Sequence, residues 1–375
     1  MFEMAAGSTR VLDGKVDRIG TADATMSVRR AGQEAGKLRV EASRLESAVD
    51  VLVTWLQGQG PDGAPQGIGH RIVHGLQHMD PEPVTPGLLG ELKRLEPYDP
   101  EHLPREIELI ELLQRRYAHV PQAVCFDTAF HRNMPRVARQ LPIPRKYFDR
   151  GVQRYGFHGL SYTFLMAELE RLGDPAARRG RVILAHLGSG ASMAAVLEGC
   201  SIDTSMSFTP TAGLVMGTRS GDLDPGLMSY LLRSESLSAQ QFQTMVNHES
   251  GLLGIAETGA DVRDLLERER DDVRAREALA LFCYQAKKWI GSFSAALGGL
   301  DTLVFAGGIG ENSAVVRERI CAGLQYLGVQ IDASRNRRHE PVISQDGAPV
   351  KLRVIRTDEE SVIAESSARV LGLNS

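Results

Sequence analysis

Two segments constrain the fold more than anything else in the chain, because each is an apolar strand that runs into a cluster of glycines. Arg181-Val-Ile-Leu-Ala-His-Leu leads into Gly188-Ser-Gly190 and then into a second apolar run to Val196, a pattern that predicts a β-hairpin. Thr302-Leu-Val-Phe-Ala leads into Gly307-Gly-Ile-Gly-Glu-Asn-Ser313, and a helical stretch is expected through about Leu327. Ahead of it, Leu279, Phe282, Cys283, Ala286, Ile290, Phe293 and Leu297 fall at helical spacing and predict a long core helix. Lys351 to Ile355 reads as a strand, and Thr357-Asp-Glu-Glu360 as the cap and acidic first turn of a C-terminal helix. Nearer the start, Leu45 to Leu56 reads as an amphipathic helix, Gly58 to Gly67 as a Gly/Pro-rich loop and Ile68 to Val73 as a strand. Residues 85–115 read as two helices separated by Pro97, Pro100 and Pro104. Strands alternating with helices in two halves predict a two-domain α/β protein with a cleft between the halves. With 375 residues the chain is too long for one ordinary core, which agrees.

Composition excludes some partners. The formal net charge of −4 gives no electrostatic reason to expect nucleic acid or an anionic membrane. No apolar run approaches the ~20 residues that span a bilayer, and the N-terminal residues lack the basic-then-apolar order of a signal peptide. The four scattered cysteines show no metal-ligand spacing and read as reduced thiols, so a cytoplasmic protein is expected. An anionic substrate must then be held by a local cluster of positive groups.

Such groups stand in unlikely places. Arg71 lies within the apolar strand, Asp127 follows the apolar run Ala123-Val-Cys-Phe126, and His158 sits between glycines in Tyr155-Gly-Phe-His-Gly159. Arg219 lies in Met216-Gly-Thr-Arg-Ser-Gly-Asp-Leu-Asp-Pro225, too rich in Gly, Thr and Asp for a packed element. Buried charge is costly unless paired, so each is either half of a structural ion pair or part of a site. The glycine turns let backbone N–H groups approach a phosphate. Two arginines, a histidine, carboxylates and phosphate loops together are the parts of a phosphoryl-transfer site, where positioning and electrostatic stabilisation do most of the catalysis. Asp127 and Glu359 are suitable hard-oxygen ligands for magnesium.

Six strings, taken in order, resemble the successive signatures of the acetate kinase family. They are His70-Arg-Ile-Val-His-Gly75, Cys125-Phe-Asp-Thr-Ala-Phe-His131, Arg154-Tyr-Gly-Phe-His-Gly159, Asp203-Thr-Ser-Met206, the Met216 to Pro225 string and Gly307 to Ser313. The resemblance implies the acetate and sugar kinase, Hsp70 and actin (ribonuclease H-like) fold, with two α/β domains of five-stranded sheets and ATP in the cleft. Residues 1–129 with 363–375 would form the N-terminal domain, and 130–362 the C-terminal nucleotide-binding domain. It also implies a homodimer and reversible transfer between ATP and acetate with Mg2+, or Mn2+ in its place. Arg71 and Arg219 resemble the two active-site arginines, Asp127 the essential aspartate and His158 the histidine that stabilises the transferring phosphoryl group. Glu359, with Glu360 beside it as the alternative, resembles the magnesium glutamate. Val73, Phe157 and Pro210 resemble the walls of the methyl pocket. His186, Leu187, Gly188, Ser189 and Gly190, then Asp261, Val262 and Arg263, then Gly308, Ile309, Gly310, Glu311 and Asn312, resemble the ATP-binding segments.

The chain departs from the family pattern at several points. The family opens with a strand running into N-x-G-S-S-S-x-K, whereas here the resemblance starts near Phe2. The first strand and phosphate loop of the first domain are therefore expected to be absent, and Ala5-Ala-Gly-Ser-Thr9 is read as a turn. Ser189 replaces an asparagine and Tyr162 a histidine. The PLHNP segment is altered to Pro97-Tyr-Asp-Pro-Glu-His-Leu-Pro104, where His102 stands in for the family histidine and Glu101 for an apolar pocket residue. A propionate or butyrate kinase, and a catalytically impaired nucleotide-binding paralogue, are the alternatives.

Overall fold

The computed structural model describes residues 1–4, 8–30, 36–59 and 64–373. The chain divides into two compact units, Met1–Ala129 with Asp358–Ser375, and Phe130–Thr357. The return to the first unit comes at Asp358 and not at residue 363. The helix Glu359–Val370 is one continuous element whose cap is Asp358, with its carboxylate accepting from Ser361 N at 3.0 Å. A boundary at 363 would cut that helix at the end of its first turn.

In the Phe130–Thr357 unit five strands form one sheet, in the order Cys200–Thr204, Ala191–Leu197, Arg181–Leu187, Thr302–Ala306, Lys351–Val354. The hairpin forms as expected, with Ala191 opposite Leu187. Thr302–Ala306 then runs parallel to Arg181–Leu187, with Ala306 beside His186. Both glycine clusters consequently leave the carboxyl ends of neighbouring parallel strands, which is where open α/β sheets bind ligands. The core helix Val273–Leu297 buries all seven apolar residues of its periodic stripe, and it packs on the two hairpin strands. The expected helical stretch to Leu327 is instead broken into Gly307–Asn312, Ala314–Cys321 and a short turn Gln325–Leu327. Ser313 causes the first break: its backbone is extended and its hydroxyl accepts from Val316 N, capping the next helix.

The first unit does not show the five-stranded sheet that the resemblance implies. Its described strands form sheets of two, three and three strands. In the sheet that carries chemistry, Ile68–Ile72 runs parallel to Gln122–Phe126, with Glu82–Pro83 on the far side. The turn read at Ala5 to Thr9 falls largely on residues 5–7, and the centre of the 58–67 loop on residues 60–63, both outside the described residues. Phe2–Glu3 and Thr9–Arg10, on either side of the first, pair antiparallel. The helices Pro86–Leu95 and Leu103–Arg116 bury Leu88, Leu92, Leu103, Ile107 and Ile110 against Ile72, Val124 and Phe126. Pro97 and Pro100 lie between them, whereas Pro104 lies inside the first turn of the second, where its missing N–H has no intrahelical partner to lose. No helix among the described residues is long and apolar enough to cross a membrane.

The helix Glu359–Val370 packs on both parallel strands of this sheet. Gly69 permits that approach. A Cβ there would lie 2.4 Å from Ser367 Oγ and 2.6 Å from Ile363 Cγ2. Gly69→Ala is therefore expected to push the helix away and to destabilise the protein by about 1–3 kcal/mol, the usual range for overpacking. Chemical denaturation checks this, and an unchanged midpoint would contradict the close packing.

Candidate active site

In the first unit Arg71 sits one residue before the end of its strand, opposite Cys125, and Asp127 directly follows the neighbouring strand. Asp127 N donates to Ile72 O at 3.0 Å, which extends the ladder by one residue and fixes the aspartate beside the arginine. Arg71 Nε donates to both oxygens of Asp127 at 3.1 Å, and Nη2 donates to Oδ2 at 2.5 Å. The aspartate is fully buried, so this fork supplies the pairing that its charge requires. The carboxylate in turn holds the Arg71 pKa above the ordinary arginine value.

Glu359 Oε2 lies 4.0 Å from Arg71 Nε. Burial pushes the Glu359 carboxyl up, Arg71 opposes the shift, and the charges of Asp127 and Glu360 add to it. Glu360 points elsewhere, to Arg10, which also binds Asp358. The structure thus separates the two adjacent glutamates, and only Glu359 faces Arg71 and Asp127.

Val73, two residues past Arg71, is buried, and its N–H donates to both oxygens of Glu106 at 3.2 Å. Burial pushes the Glu106 carboxyl up to about 7, aided by Asp99 and opposed by the Val73 N–H, His102 and Arg71. Asp99 Oδ1 pairs with His102 Nδ1 at 2.8 Å. Glu106 and Asp99 escaped the sequence reading, because helix-face glutamates and turn aspartates are ordinarily solvated. Only the altered Pro97 to Pro104 string marked the region.

In the second unit His158 holds a left-handed backbone conformation, with φ 58° and ψ 24°, at the cap of helix Gly159–Arg171. That conformation is uncommon for a residue other than glycine and clusters at functional sites. Arg154 secures the turn by donating to the carbonyls of Thr204, Ser205 and Met206 at 2.9, 3.3 and 3.1 Å. His158 Nδ1 lies 2.8 Å from Ser192 Oγ, and the Tyr162 hydroxyl also meets Ser192 Oγ. The His158 ring stacks on His186, with centroids 4.3 Å apart. His186 Nδ1 lies 2.8 Å from Ser161 Oγ, which meets Thr357 Oγ1 at 2.8 Å.

Arg219 Nη1 donates to Pro210 O at 2.8 Å, so Pro210 orients the guanidinium through its carbonyl. A Cβ on Gly190 would stand 3.1 Å from Arg219 Nη2 and 3.4 Å from His158 Nε2. The glycine turn, the arginine and the histidine therefore converge on one spot. Gly217 N donates to Ser189 O at 2.9 Å and ties the Arg219 loop to that turn, and Phe157 is buried.

The remaining nucleotide candidates are less uniform. Glu311 Oε1 accepts from Gly307 N at 3.0 Å and Thr357 N at 3.1 Å, and Asn312 Nδ2 donates to Gly308 O at 2.9 Å. These two side chains brace the loop that holds Gly308, Ile309 and Gly310. Asp261 caps helix Val262–Arg268 and grips the exposed Arg263 with both oxygens, which holds the Asp261 carboxyl below its usual range. Among the described residues no three acidic, histidine or cysteine side chains are grouped to hold a metal. Ser192, Ser161 and Thr357 were missed from sequence, since a serine inside an apolar hairpin strand carries no spacing signal. Only its register opposite His186 reveals it.

The chain has matches among known proteins in sequence and in fold. The model of the acetokinase family matches residues 1–365. The acetate kinase of Rhodopseudomonas palustris is 42% identical over 86% of this chain and 82% of its own length. The propionate kinase of Citrobacter rodentium is 40% identical over 99% of this chain and 93% of its own length. Among solved structures, the acetate kinase of Porphyromonas gingivalis superposes with a TM-score of 0.88 at 31% identity, covering 99% of this chain and 95% of that one. The propionate kinase of Francisella tularensis gives 0.91 at 32% identity, covering 97% and 94%. The fold is that of these kinases, and the chain belongs to the acetokinase family.

Proposed function

We propose that this chain is an acetate kinase: it transfers a phosphoryl group between ATP and acetate, giving ADP and acetyl phosphate, reversibly and with Mg2+. The convergence of Arg219 and His158 on Gly190 carries the reading, because it aims a guanidinium and an imidazole at the place where a glycine turn admits a phosphate. In this mechanism an acetate oxygen attacks the γ-phosphorus. A new P–O bond forms, the bond to ADP breaks, and ADP leaves with the electron pair. The carboxylate is already ionised at neutral pH, so no general base is required.

Each unit supplies a distinct part. Arg71 receives the carboxylate, and Asp127 holds the guanidinium in place. Val73, Phe157 and Pro210 limit the room beside the methyl group. Arg219 and His158 stabilise charge on the equatorial phosphoryl oxygens. The turn His186, Leu187, Gly188, Ser189 and Gly190 faces the phosphates. The loop Gly308 to Asn312 and the segment Asp261, Val262 and Arg263 hold the rest of the nucleotide. Asp127 and Glu359 suit Mg2+ in donor type: two hard carboxylates stand beside one guanidinium, and burial, which raises the Glu359 carboxyl, is a cost that a bound cation would offset. With so few protein ligands, Mg2+ would keep mostly water and phosphate oxygens, and Mn2+ would substitute. When bound, the ion neutralises charge on the phosphate oxygens. The two units act as the two domains of the actin-like superfold, in a cytoplasmic homodimer. The similarity to propionate kinases supports propionate as a second substrate.

Hydroxylamine capture of the acyl phosphate formed from ATP, Mg2+ and acetate tests the activity, and absence of hydroxamate would refute it. Chelating divalent ions with EDTA is expected to abolish turnover, with recovery on adding Mg2+ or Mn2+. Arg219→Ala is expected to lower kcat by at least ~10³, as for arginines that stabilise a transferring phosphoryl group. A loss below tenfold would remove it from the mechanism. Gly190→Ala places a methyl against both catalytic side chains and is expected to lower kcat/KM at least ~10-fold through misplacement, with the unfolding midpoint little changed.

A further inference from the structure

The acid group behind Arg71 has more acceptor capacity than the protein uses. Among the described residues Glu106 accepts with both oxygens from a single N–H, that of Val73, whereas a carboxylate offers about four lone-pair sites. Asp99 is 5% exposed. Its Oδ1 accepts from His102 N at 3.3 Å and pairs with His102 Nδ1 at 2.8 Å. Its Oδ2 is buried and has no hydrogen-bond partner among the described residues. Buried acceptors are almost always satisfied, so an orphan of this kind calls for a donor from outside the chain.

Its surroundings define that donor. Asp99 and Glu106 are close enough for each charge to act on the other, and Glu106 also acts on Arg71 and touches the backbone of Val73. A bare alkyl group beside them would leave Asp99 Oδ2 without a donor. An ammonium group would meet the positive Arg71. A hydroxyl group brings one donor and no charge. Glu106 titrates near neutrality, so it can accept from a hydroxyl when ionised and donate to it when protonated.

We infer that this chain phosphorylates small carboxylic acids bearing a hydroxyl group, which Asp99 and Glu106 receive beside Arg71, and that it favours them over the unsubstituted acids. The inference rests on the reading of Arg71 and Val73 as the carboxylate-binding residues. The step is unchanged: a carboxylate oxygen attacks the γ-phosphorus, ADP leaves with the electron pair, and the hydroxyl keeps its proton. Specificity of this kind is steep, because a site built to bind a hydroxyl is left with unpaired buried groups by an analogue that lacks it.

The test compares matched pairs, acetate with glycolate and propionate with 3-hydroxypropionate, by hydroxylamine capture. That readout registers acyl phosphates and not phosphate esters of the hydroxyl. In the unaltered protein the hydroxylated member of each pair is expected to lead by at least ~10-fold in kcat/KM. The lead should shrink in Asp99→Asn, which turns the orphan acceptor into a donor, and in Glu106→Gln. Equal or better use of acetate and propionate would overturn this inference and leave the kinase reading standing. A lead unchanged in both variants would overturn the assignment to Asp99 and Glu106. No acyl phosphate from any acid would overturn the kinase reading itself.

Discussion

Each unit depends on a pair of parallel strands that end level with one another. In an antiparallel pair one strand's carboxyl end meets the other's amino end, so residues leaving the two strands diverge. In a parallel pair both chains leave the sheet on the same side. Arg71 beside Cys125 and Ala306 beside His186 are two instances of one constraint. It converts sequence positions far apart into neighbours. The first instance delivers the Arg71–Asp127 fork. The second delivers two glycine turns side by side. The helix Glu359–Val370 adds the third member of the Arg71 group because Gly69 leaves room for it on the strand that carries Arg71.

Much of this was legible in the sequence. The hairpin, the long core helix, the strand with Arg71 and the capped C-terminal helix all follow from periodicity and turn chemistry, which are local. The family strings located the charged groups. The sheet structure of the first unit was not legible, since short strands such as Glu82–Pro83 carry too few residues for a period. The break after Asn312 was missed because Ser313 reads as an ordinary polar residue until its backbone is seen to be extended. Within the candidate site, sequence named Arg71, Asp127, His158 and Arg219 and missed side chains that bond to them or to their neighbours. Ser192 is found only through cross-strand register, and Glu106 only through the backbone N–H it accepts.

The contacts around His158 also decide how its imidazole is protonated. Its ring stacks 4.3 Å from that of His186, so two charged rings there would repel one another. A neutral His158 can donate from one nitrogen only. The Tyr162 hydroxyl meets Ser192 Oγ and, as a phenol, can donate to it. When Tyr162 donates, Ser192 has its own hydroxyl proton to give to His158 Nδ1. With that direction the proton of a neutral His158 lies on Nε2, the nitrogen that faces Gly190 in company with Arg219 Nη2. His158 Nε2–H and Arg219 Nη2 then both present donors there, which suits the phosphoryl oxygen of the proposed reaction. A histidine in place of Tyr162, the usual residue in the family pattern, would make the direction of this chain depend on its own tautomer and charge. The tyrosine removes that dependence, since a phenol has no second tautomer.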